Sequence, residues 1–320
     1  MKIVRADSEL ERNPNSVVSV GTFDGVHIGH QEIIRQANAS ATERAGRSVV
    51  VTFEPHPKEV VPSARGPISL LSTLDERLSL LDRHGIDVTV VIHFTREFSQ
   101  LSPRSFYEEY ILARIGVAEV VVGQDHLFGR DRRGGREELD TLAHQFGFVV
   151  NAVPEHLVGG ERVSSSAIRK ALERGDVVTA RTYLGYPYAL SGVVAEGDRR
   201  GRLLGFPTVN LDPESPRKVT PGHGVYLVAV KTPSGNAYGM MNIGVRPTLT
   251  DGSTRTLEVH MFEVEADFYG ESVQVSFLRR LRDERRFATA DDLVAQLNVD
   301  REQSIHLIKE LEQQHSIHNQ

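Results

Sequence analysis

The sequence predicts a doubly wound, parallel α/β domain followed by a small antiparallel β-barrel and a C-terminal helix. Three observations predict it. In the first half, valine-rich runs such as Val49–Val51 and Val120–Val122 are apolar on both faces and alternate with helical patterns, as parallel strands covered by helices on both sides require. From Tyr186 to Leu278 the texture changes to Gly, Pro, Thr and Val, and short strand-like pieces are separated by turns such as "PSGN" and "TDGS", the pattern of a small barrel. The tail, from Asp291 to about Gln313, carries Leu293, Leu297, Ile305, Ile308 and Leu311 at helical spacing.

Taken in order, "VVSVGTF" is the first strand and its turn, and "IGHQEIIRQANASATERAG" is a helix with Ile33, Ile34, Ala37 and Ala41 on one face and Gly46 able to end it. "SVVVTFEP" is a strand, and "TLDERLSLLDRHG" is a helix with Leu74, Leu78 and Leu81 in register. "DVTVVIHF", "AEVVVG" and "FVVNAVP" are further strands, separated by the helices "SPRSFYEEYILARIG" and "REELDTLAHQFG". A last helix runs from about Ser165 to Arg174, with Gly175 as its stop signal. Beyond it, "YALSGVVAEG", "GVYLVAVKT", "AYGMMNIGV", "TLEVHMFEV" and "SVQVSFL" are the barrel strands. The junction falls near residues 176–186, giving domains of residues 1–180 and 187–320.

Composition narrows the function classes. A chain of 320 residues with 39% hydrophobic and 25% charged residues is that of a soluble globular protein, with room for two domains. The net charge of −6 arises from many charges of both signs, which argues against a nucleic-acid partner. No run approaches the roughly 18 apolar residues of a membrane span, and "MKIVRADSELERN" has no apolar core of a signal peptide. Cysteine is absent, which excludes disulfides, thiolate nucleophiles and cysteine-based zinc sites and fits a reducing cytoplasm. The oligomeric state is not encoded in any of these features.

The segment "GTFDGVHIGH", Gly21–His30, lies between the first strand and the first helix, where an open α/β sheet binds its ligands. It places two of the thirteen histidines among three glycines. A metal site, a phosphate site and a plain surface turn are the alternatives. An H-x-x-H across a strand–helix turn does not share a helical face, and no H-E-x-x-H occurs, which weakens the metal reading. Helix N-termini attract phosphate, glycines let backbone approach a ligand closely, and imidazoles can stabilise charge growing on phosphate. "VSSSAIRK" is a second anion-friendly segment, with Ser164 or Ser165 as N-cap and Arg169 on the face of Ser165 and Ser166. Ordinary helix capping would account for it equally well.

"VGTFDGVHIGHQ", "VTFEPHP", "VGQDHLFG" and "VSSSAIR", followed by "GRLLGFPTVNL", "PGHGVYLVAV", "NIGVRPT", "LEVHMF" and "LRDERRF", resemble the bacterial bifunctional riboflavin kinase/FMN adenylyltransferases. The likeness spans nearly the whole chain. It implies a nucleotidyltransferase domain followed by a kinase domain, with ATP, riboflavin and FMN as substrates, FAD as product and Mg²⁺ arriving with ATP. His27 and His30 would contact the phosphates in transfer, with Gly21, Phe23, Asp24 and Gly29 shaping the nucleotide pocket. Ser164 and Arg169 would hold the departing pyrophosphate. Phe53, Pro55, His56, Pro57 and Asp125 would line the flavin side.

In the second half, the resemblance makes Glu258 the base that activates a riboflavin hydroxyl. "LEVHMF" reads as an alternating strand, with Leu257, Val259 and Met261 facing one way and Glu258 and His260 the other. Thr208 and Asn210 would hold Mg²⁺, Gly201 and Phe206 would line the nucleotide pocket, and Arg282 would contact the flavin. The sequence departs from the family pattern at Val209 (usually alanine), Ser166 (usually threonine) and His126 (usually an aromatic residue). The last touches stacking on the flavin and hence adenylylation. An adenylyltransferase with a docking barrel and a non-catalytic flavin-nucleotide sensor are the competing readings, and the presence of Glu258, His27 and His30 together disfavours the sensor.

Overall fold

In the computed structural model the described residues are 1–320 apart from 6–7, 62–65, 67, 125–134, 196–203, 248–252, 265–267 and 319–320. The chain forms two compact units, Met1–Ala167 and Ile168–Gln320. The first holds β1 (Lys2–Arg5), β2 (Ser16–Val20), α1 (Ile28–Glu43), β3 (Arg47–Glu54), α2 (Pro57–Val60), α3 (Leu74–Arg83), β4 (Val88–His93), α4 (Pro103–Phe106), β5 (Glu119–Gly123), α5 (Arg136–Phe146), β6 (Val149–Val153) and the short ribbon β7 (Leu157–Val158) and β8 (Glu161–Arg162). The helix α6 (Ser165–Glu173) begins in this unit and ends in the next.

Among the described residues, the main sheet has the order β1-β4-β3-β2-β5-β6, with every pairing parallel. The chain moves outward from β2 through β3 to β4, then returns to the other side of β2 for β5 and β6. The direction of winding therefore reverses at β2, and the crevice beyond the carboxyl ends of β2 and β5 is the expected binding position. The valine runs explain why the sheet is covered twice. Val17 and Val121 pack with Ala37 and Ala41 of α1, whereas Val18, Val20, Val120 and Val122 join Phe106, Ile111 and Leu139 in a separate cluster. Successive side chains of one strand thus enter two different cores.

The structure alters several details of the expected elements. The edge strand β1 comes from the charged N-terminus and was not anticipated. α1 ends at Glu43, and Ala45 rather than Gly46 adopts the left-handed conformation, with φ of 46°. After α4 the backbone widens into a π-helical stretch over Tyr107–Ile115, closed by Gly116 N–H donating to Ile111 O at 2.9 Å. Tyr107, Ile111 and Ile115, four residues apart, are all buried. In α3 the buried positions are Arg77, Leu80 and Leu81, so the face is turned from the leucine register because an arginine goes inside.

The second unit continues with α7 (Val177–Leu184) and the strands β9 (Ala189–Ala195), β10 (Val209–Pro213), β11 (Gly224–Thr232), β12 (Gly235–Pro247), β13 (Ser253–Met261) and β14 (Ser272–Arg282), then α8 (Ala290–His318). The strands close into an antiparallel barrel in the order β10-β13-β12-β11-β14-β9. The sequence reading anticipates five of these strands; β10 is the one it lacks, as it also lacks α7. Phe206, Val225 and Met240 form a small core cluster against which Val294 and Leu297 of α8 pack. In α8 itself the most buried positions are Asp300 and Ser304, while Ile305 is 39% exposed. The helix is therefore seated by a polar contact as well as by its apolar stripe.

Candidate active sites

The segment Gly21–His30 leaves the carboxyl end of β2 and turns into α1 through three left-handed residues: Phe23 at φ 48°, Gly25 at 78° and Val26 at 33°. For a β-branched valine this conformation is costly, and such strain concentrates where a loop must hold a functional shape. Phe23, Asp24, Val26 and His27 are all buried, so the loop is held from beneath. Asp24 supplies much of that hold. Its carboxylate accepts from Leu71 N at 3.0 and 3.1 Å, from Ser72 N at 2.9 Å and from Ser72 Oγ at 3.1 Å. Ser72 Oγ in turn accepts from Gly25 N at 2.9 Å.

His27 is the N-cap of α1, its Nδ1 accepting from His30 N across a long 3.4 Å. A ring nitrogen that accepts carries no proton, so this contact places the His27 proton on Nε2. The rings of His27 and His30 stack, with centroids 3.7 Å apart and planes 16° from parallel, and Phe23 flanks His30 at 5.0 Å. Burial, with the neighbouring His27 second, holds the His30 imidazole well below its usual pKa. A buried Nδ1 on His30 makes no hydrogen bond among the described residues, a state that buried polar atoms rarely keep unless a ligand or water completes them. Gly29 permits the stack, because a Cβ there would lie 3.3 Å from His27 Nδ1. No acidic residue occupies the first turn of α1, which leaves its positive end free for an anion.

Other segments converge on the same sheet edge. "FEPHP" follows the carboxyl end of β3. Phe53 sits edge-on to Phe94 at 5.6 Å and near Phe98 at 6.0 Å. His56 is buried and caps α2, with Nδ1 accepting from Lys58 N at 3.1 Å. Pro55 and Pro57 flank it and are half-buried. Ser164 caps α6 by accepting from Ala167 N at 3.2 Å, and Ser165 Oγ donates to Asp24 O at 3.2 Å, so this helix start and the histidine loop meet. Arg169 lies half-buried on α6. Asp125 and His126, just beyond β5, lie outside the described residues.

Arg77 was invisible to the sequence reading. It is 2% exposed and donates to Thr22 O at 2.8 Å, Thr52 Oγ1 at 3.0 Å, Phe53 O at 3.1 Å and Glu54 Oε2 at 2.9 Å. One guanidinium thus joins the carboxyl end of β3 to the turn after β2. Burial draws its pKa down, and the nearby Asp24 and Glu54 oppose that. A charged residue at a helical core position gives no sign of this role until the fold places four acceptors around it.

In the barrel unit, Asn210 of β10 pairs directly with Glu258 of β13, and Glu258 pairs directly with Asn242 of β12. Directly opposed side chains on neighbouring strands stand about 5 Å apart on one face. The register therefore sets Asn210, Glu258 and Asn242 in a row across three strands. Leu257, Val259 and Met261 are buried on the other face, matching the expected alternation. Thr208 immediately precedes β10. His260, two residues beyond Glu258, has its Nδ1 2.8 Å from Pro207 O. Glu284, in the segment after β14, reaches this face as well, since a methyl group on Gly244 would overlap its Oε1 and lie 3.2 Å from Asn242 Nδ2.

Thr208 and Asn210 offer neutral oxygen donors, beside a carboxylate. That set suits a hard divalent cation that keeps much of its water and arrives with a nucleotide, so the residues fit Mg²⁺. Among the described residues no group of three or more His, Asp or Glu side chains is placed to hold a metal by itself.

Both units of the chain are similar to known proteins. Residues 9–167 match the family model for FAD synthetase and residues 184–308 that for riboflavin kinase. A bifunctional riboflavin kinase/FMN adenylyltransferase of Listeria monocytogenes is 34% identical over 93% of this chain and 94% of its own. One from Escherichia coli K12 is 35% identical over 93% and 95%. The chain belongs to the bifunctional riboflavin kinase/FMN adenylyltransferase family. A crystal structure from Streptococcus pneumoniae, described as that of a macrolide-efflux protein, superposes with a TM-score of 0.85 at 33% identity, covering 94% of this chain and 98% of that one. Among the described residues no helix is long and apolar enough to cross a membrane.

In the second unit the remaining expected residues have the following places. Phe206 is 6% exposed and packs edge-on to His260 at 5.2 Å, so it supports the loop from below. Arg282 is bound to Asp300 of α8, with Nε at 2.9 and 3.1 Å and Nη2 at 2.9 Å from its carboxylate, and Asp300 is 1% exposed. Gly201 lies outside the described residues. Asn242 completes the row yet was singled out by no spacing, because its alignment with Glu258 depends on the register of two strands.

Proposed function

We propose that the two reactions of this family are divided between the two sites: adenylyl transfer at the histidine loop and riboflavin phosphorylation at the Asn210–Glu258–Asn242 row. The enzyme is a kinase and a nucleotidyltransferase that makes FMN from riboflavin and ATP, then FAD from FMN and ATP with release of pyrophosphate. The assignment of adenylylation to residues 1–180 and of phosphorylation to residues 187–320 is supported by the matched spans 9–167 and 184–308. A cytoplasmic location and small-molecule partners only, namely ATP, riboflavin and FMN, belong to the same reading.

In adenylyl transfer, an FMN phosphate oxygen attacks the α-phosphorus of ATP and pyrophosphate leaves. Such transfers are mostly positioning and charge stabilisation. The N–H groups at the start of α1 and the His27 Nε2–H are donors for the phosphates, and His30 stands neutral beside them with an Nδ1 that makes no hydrogen bond among the described residues. Ser164 and Arg169 bind the leaving pyrophosphate, and Phe53, Pro55, His56, Pro57 and Asp125 bound the flavin. Gly21, Phe23, Asp24 and Gly29 fix the shape of the cradle.

In the kinase reaction, Glu258 takes the proton of the riboflavin 5′-hydroxyl as that oxygen attacks the γ-phosphorus, and ADP leaves. General-base assistance of this kind is worth about 10²–10⁴ in rate. Thr208 and Asn210 would hold Mg²⁺, which supplies neutralisation of phosphate charge when bound. Gly201 and Phe206 border the nucleotide, and Arg282 carries the flavin-side segment through its bond to Asp300. The observation that carries the reading is the carboxylate set between two amides on one barrel face. Purified protein given riboflavin, ATP and Mg²⁺ is expected to yield FMN and then FAD, separated by chromatography. If FAD forms from supplied FMN but FMN never forms from riboflavin, the kinase half of the reading is wrong.

A further inference from the structure

We infer that His260 is the positioning residue for Thr208, extending the β10–β13 ladder by one side-chain hydrogen bond. The backbone pairing of these strands is short. It comprises Val209 with Val259 and Asn210 with Glu258. Continued by one residue, the register would bring Thr208 opposite His260, yet the backbone pairing stops at Val209. In its place the imidazole reaches across: His260 Nδ1 lies 2.8 Å from Pro207 O. A carbonyl can only accept, so Nδ1 carries the proton and donates. The peptide that leads into Thr208 is thereby fixed by a side chain of the very strand that presents Glu258.

The ring is itself held. Phe206 meets it edge-on at 5.2 Å and Phe262 at 5.8 Å, and Phe206 is anchored in the cluster with Val225 and Met240. The segment Phe206–Asn210 is thus secured by an aromatic ring in the core, by one carbonyl on His260 and by the ladders that begin at Val209 with β13 and at Asn210 with β9. Thr208 lies between the second and the third. Because Glu258 and His260 are two apart on one strand, they share a face, and the spacing between base and threonine is set by β13 alone. Without the His260 bond, Thr208 would follow a proline that lacks an N–H at the frayed end of a short pairing.

The inference rests on reading Thr208 as a magnesium ligand, and the experiment separates the two ideas. Three full-length variants are compared: His260→Leu, which keeps apolar bulk but has no donor; His260→Asn, which restores a donor; and Thr208→Val. The Mg²⁺ concentration giving half-maximal FMN formation is measured, with FAD formation from supplied FMN as the control. Hydrogen exchange of the peptide spanning residues 206–210 is followed in parallel. For His260→Leu the Mg²⁺ requirement is expected to rise about 3–10-fold, the worth of one neutral hydrogen bond, with faster exchange in that peptide and FAD formation unchanged. His260→Asn is expected to stay within about twofold of the parent on both readouts. A folded His260→Leu with unaltered Mg²⁺ requirement and exchange overturns the inference, provided Thr208→Val does raise the requirement. Should Thr208→Val also leave it unaltered, the magnesium reading itself is wrong. If His260→Leu fails to fold, His260→Asn decides: near-parent values support the inference, and a requirement raised as far as expected for leucine overturns it.

Discussion

Removing the Asp24 carboxylate should loosen the histidine loop by a calculable amount. Asp24 is 2% exposed, and its two oxygens take the backbone N–H groups of Leu71 and Ser72 along with the Ser72 hydroxyl. In Asp24→Ala the hydroxyl can rotate to another acceptor, but the two N–H groups cannot. Each buried donor left unpaired costs about 1–3 kcal/mol, so the segment should open more easily by about 2–6 kcal/mol. Local opening of that size speeds amide exchange about 30- to 25,000-fold. The assay is hydrogen exchange across residues 70–76, with FAD formation from FMN and FMN formation from riboflavin measured on the same samples. The expected outcome is fast exchange at Leu71 and Ser72, a large fall in FAD formation and unchanged FMN formation. Asp24→Asn keeps one acceptor and should lie between. If Asp24→Ala abolishes FAD formation while exchange at Leu71 and Ser72 stays slow, the carboxylate acts on the ligand directly and the clamp argument fails.

Three further outcomes are expected. His30→Ala should stop FAD formation and spare FMN formation, whereas Glu258→Ala should lower FMN formation about 10²–10⁴-fold and still make FAD from added FMN; product analysis by chromatography distinguishes them, and loss of both activities in either folded variant would refute two separate sites. Asp300→Ala strands the Arg282 guanidinium beside a vacated position and should destabilise the barrel unit by about 3–5 kcal/mol, read as a lower urea midpoint by circular dichroism; an unchanged midpoint counts against the bond as the seat of α8. The depressed pKa of His30 sets a pH dependence. The unfolded chain takes up a proton near pH 6.5 and the folded site only well below that, so stability is full above pH 6.5 and falls as pH drops toward the folded value. His30→Gln should flatten that slope in acid unfolding monitored between pH 7.5 and 5, and a slope left intact would assign it to another group.

The parts legible in the sequence were those encoded by local pattern. Two-faced valine runs reported a covered parallel sheet because each residue in such a strand meets a core, as Val17 and Val18 do. Glu258 and His260 were placed on one face because strand alternation needs only one strand. Arg77, Asn242 and the Asp24 clamp were not legible, since each acquires meaning from partners 16 to 55 residues away in sequence. Arg77 occupies a position where leucine spacing predicts apolar contact, and only the carbonyls gathered at the ends of β2 and β3 explain an arginine there. β10 escaped notice because Val209–Pro213 is short and contains a proline, which demotes a strand reading, yet it carries the asparagine beside the putting-in-line of Glu258 and Asn242.

The proposed division gives each chemistry its own architecture. A parallel sheet leaves loops and helix starts clustered at one edge, so a site there is built from backbone N–H groups and from whatever the first turn presents. The stacked His27 and His30 at α1 are that solution, and its weakness is that a loop must be held in shape from beneath, by Asp24, Ser72 and Arg77. An antiparallel barrel offers no such edge but has rigid register across its face. Asn210, Glu258 and Asn242 are spaced by backbone pairing alone, and only Thr208, beyond the last paired residue, needs a side chain to fix it. Substitutions that disturb the first site should therefore act through loop opening and show up in exchange. Those at the row should change rate without changing exchange, with Thr208 and its His260 tether as the exception that the register itself predicts.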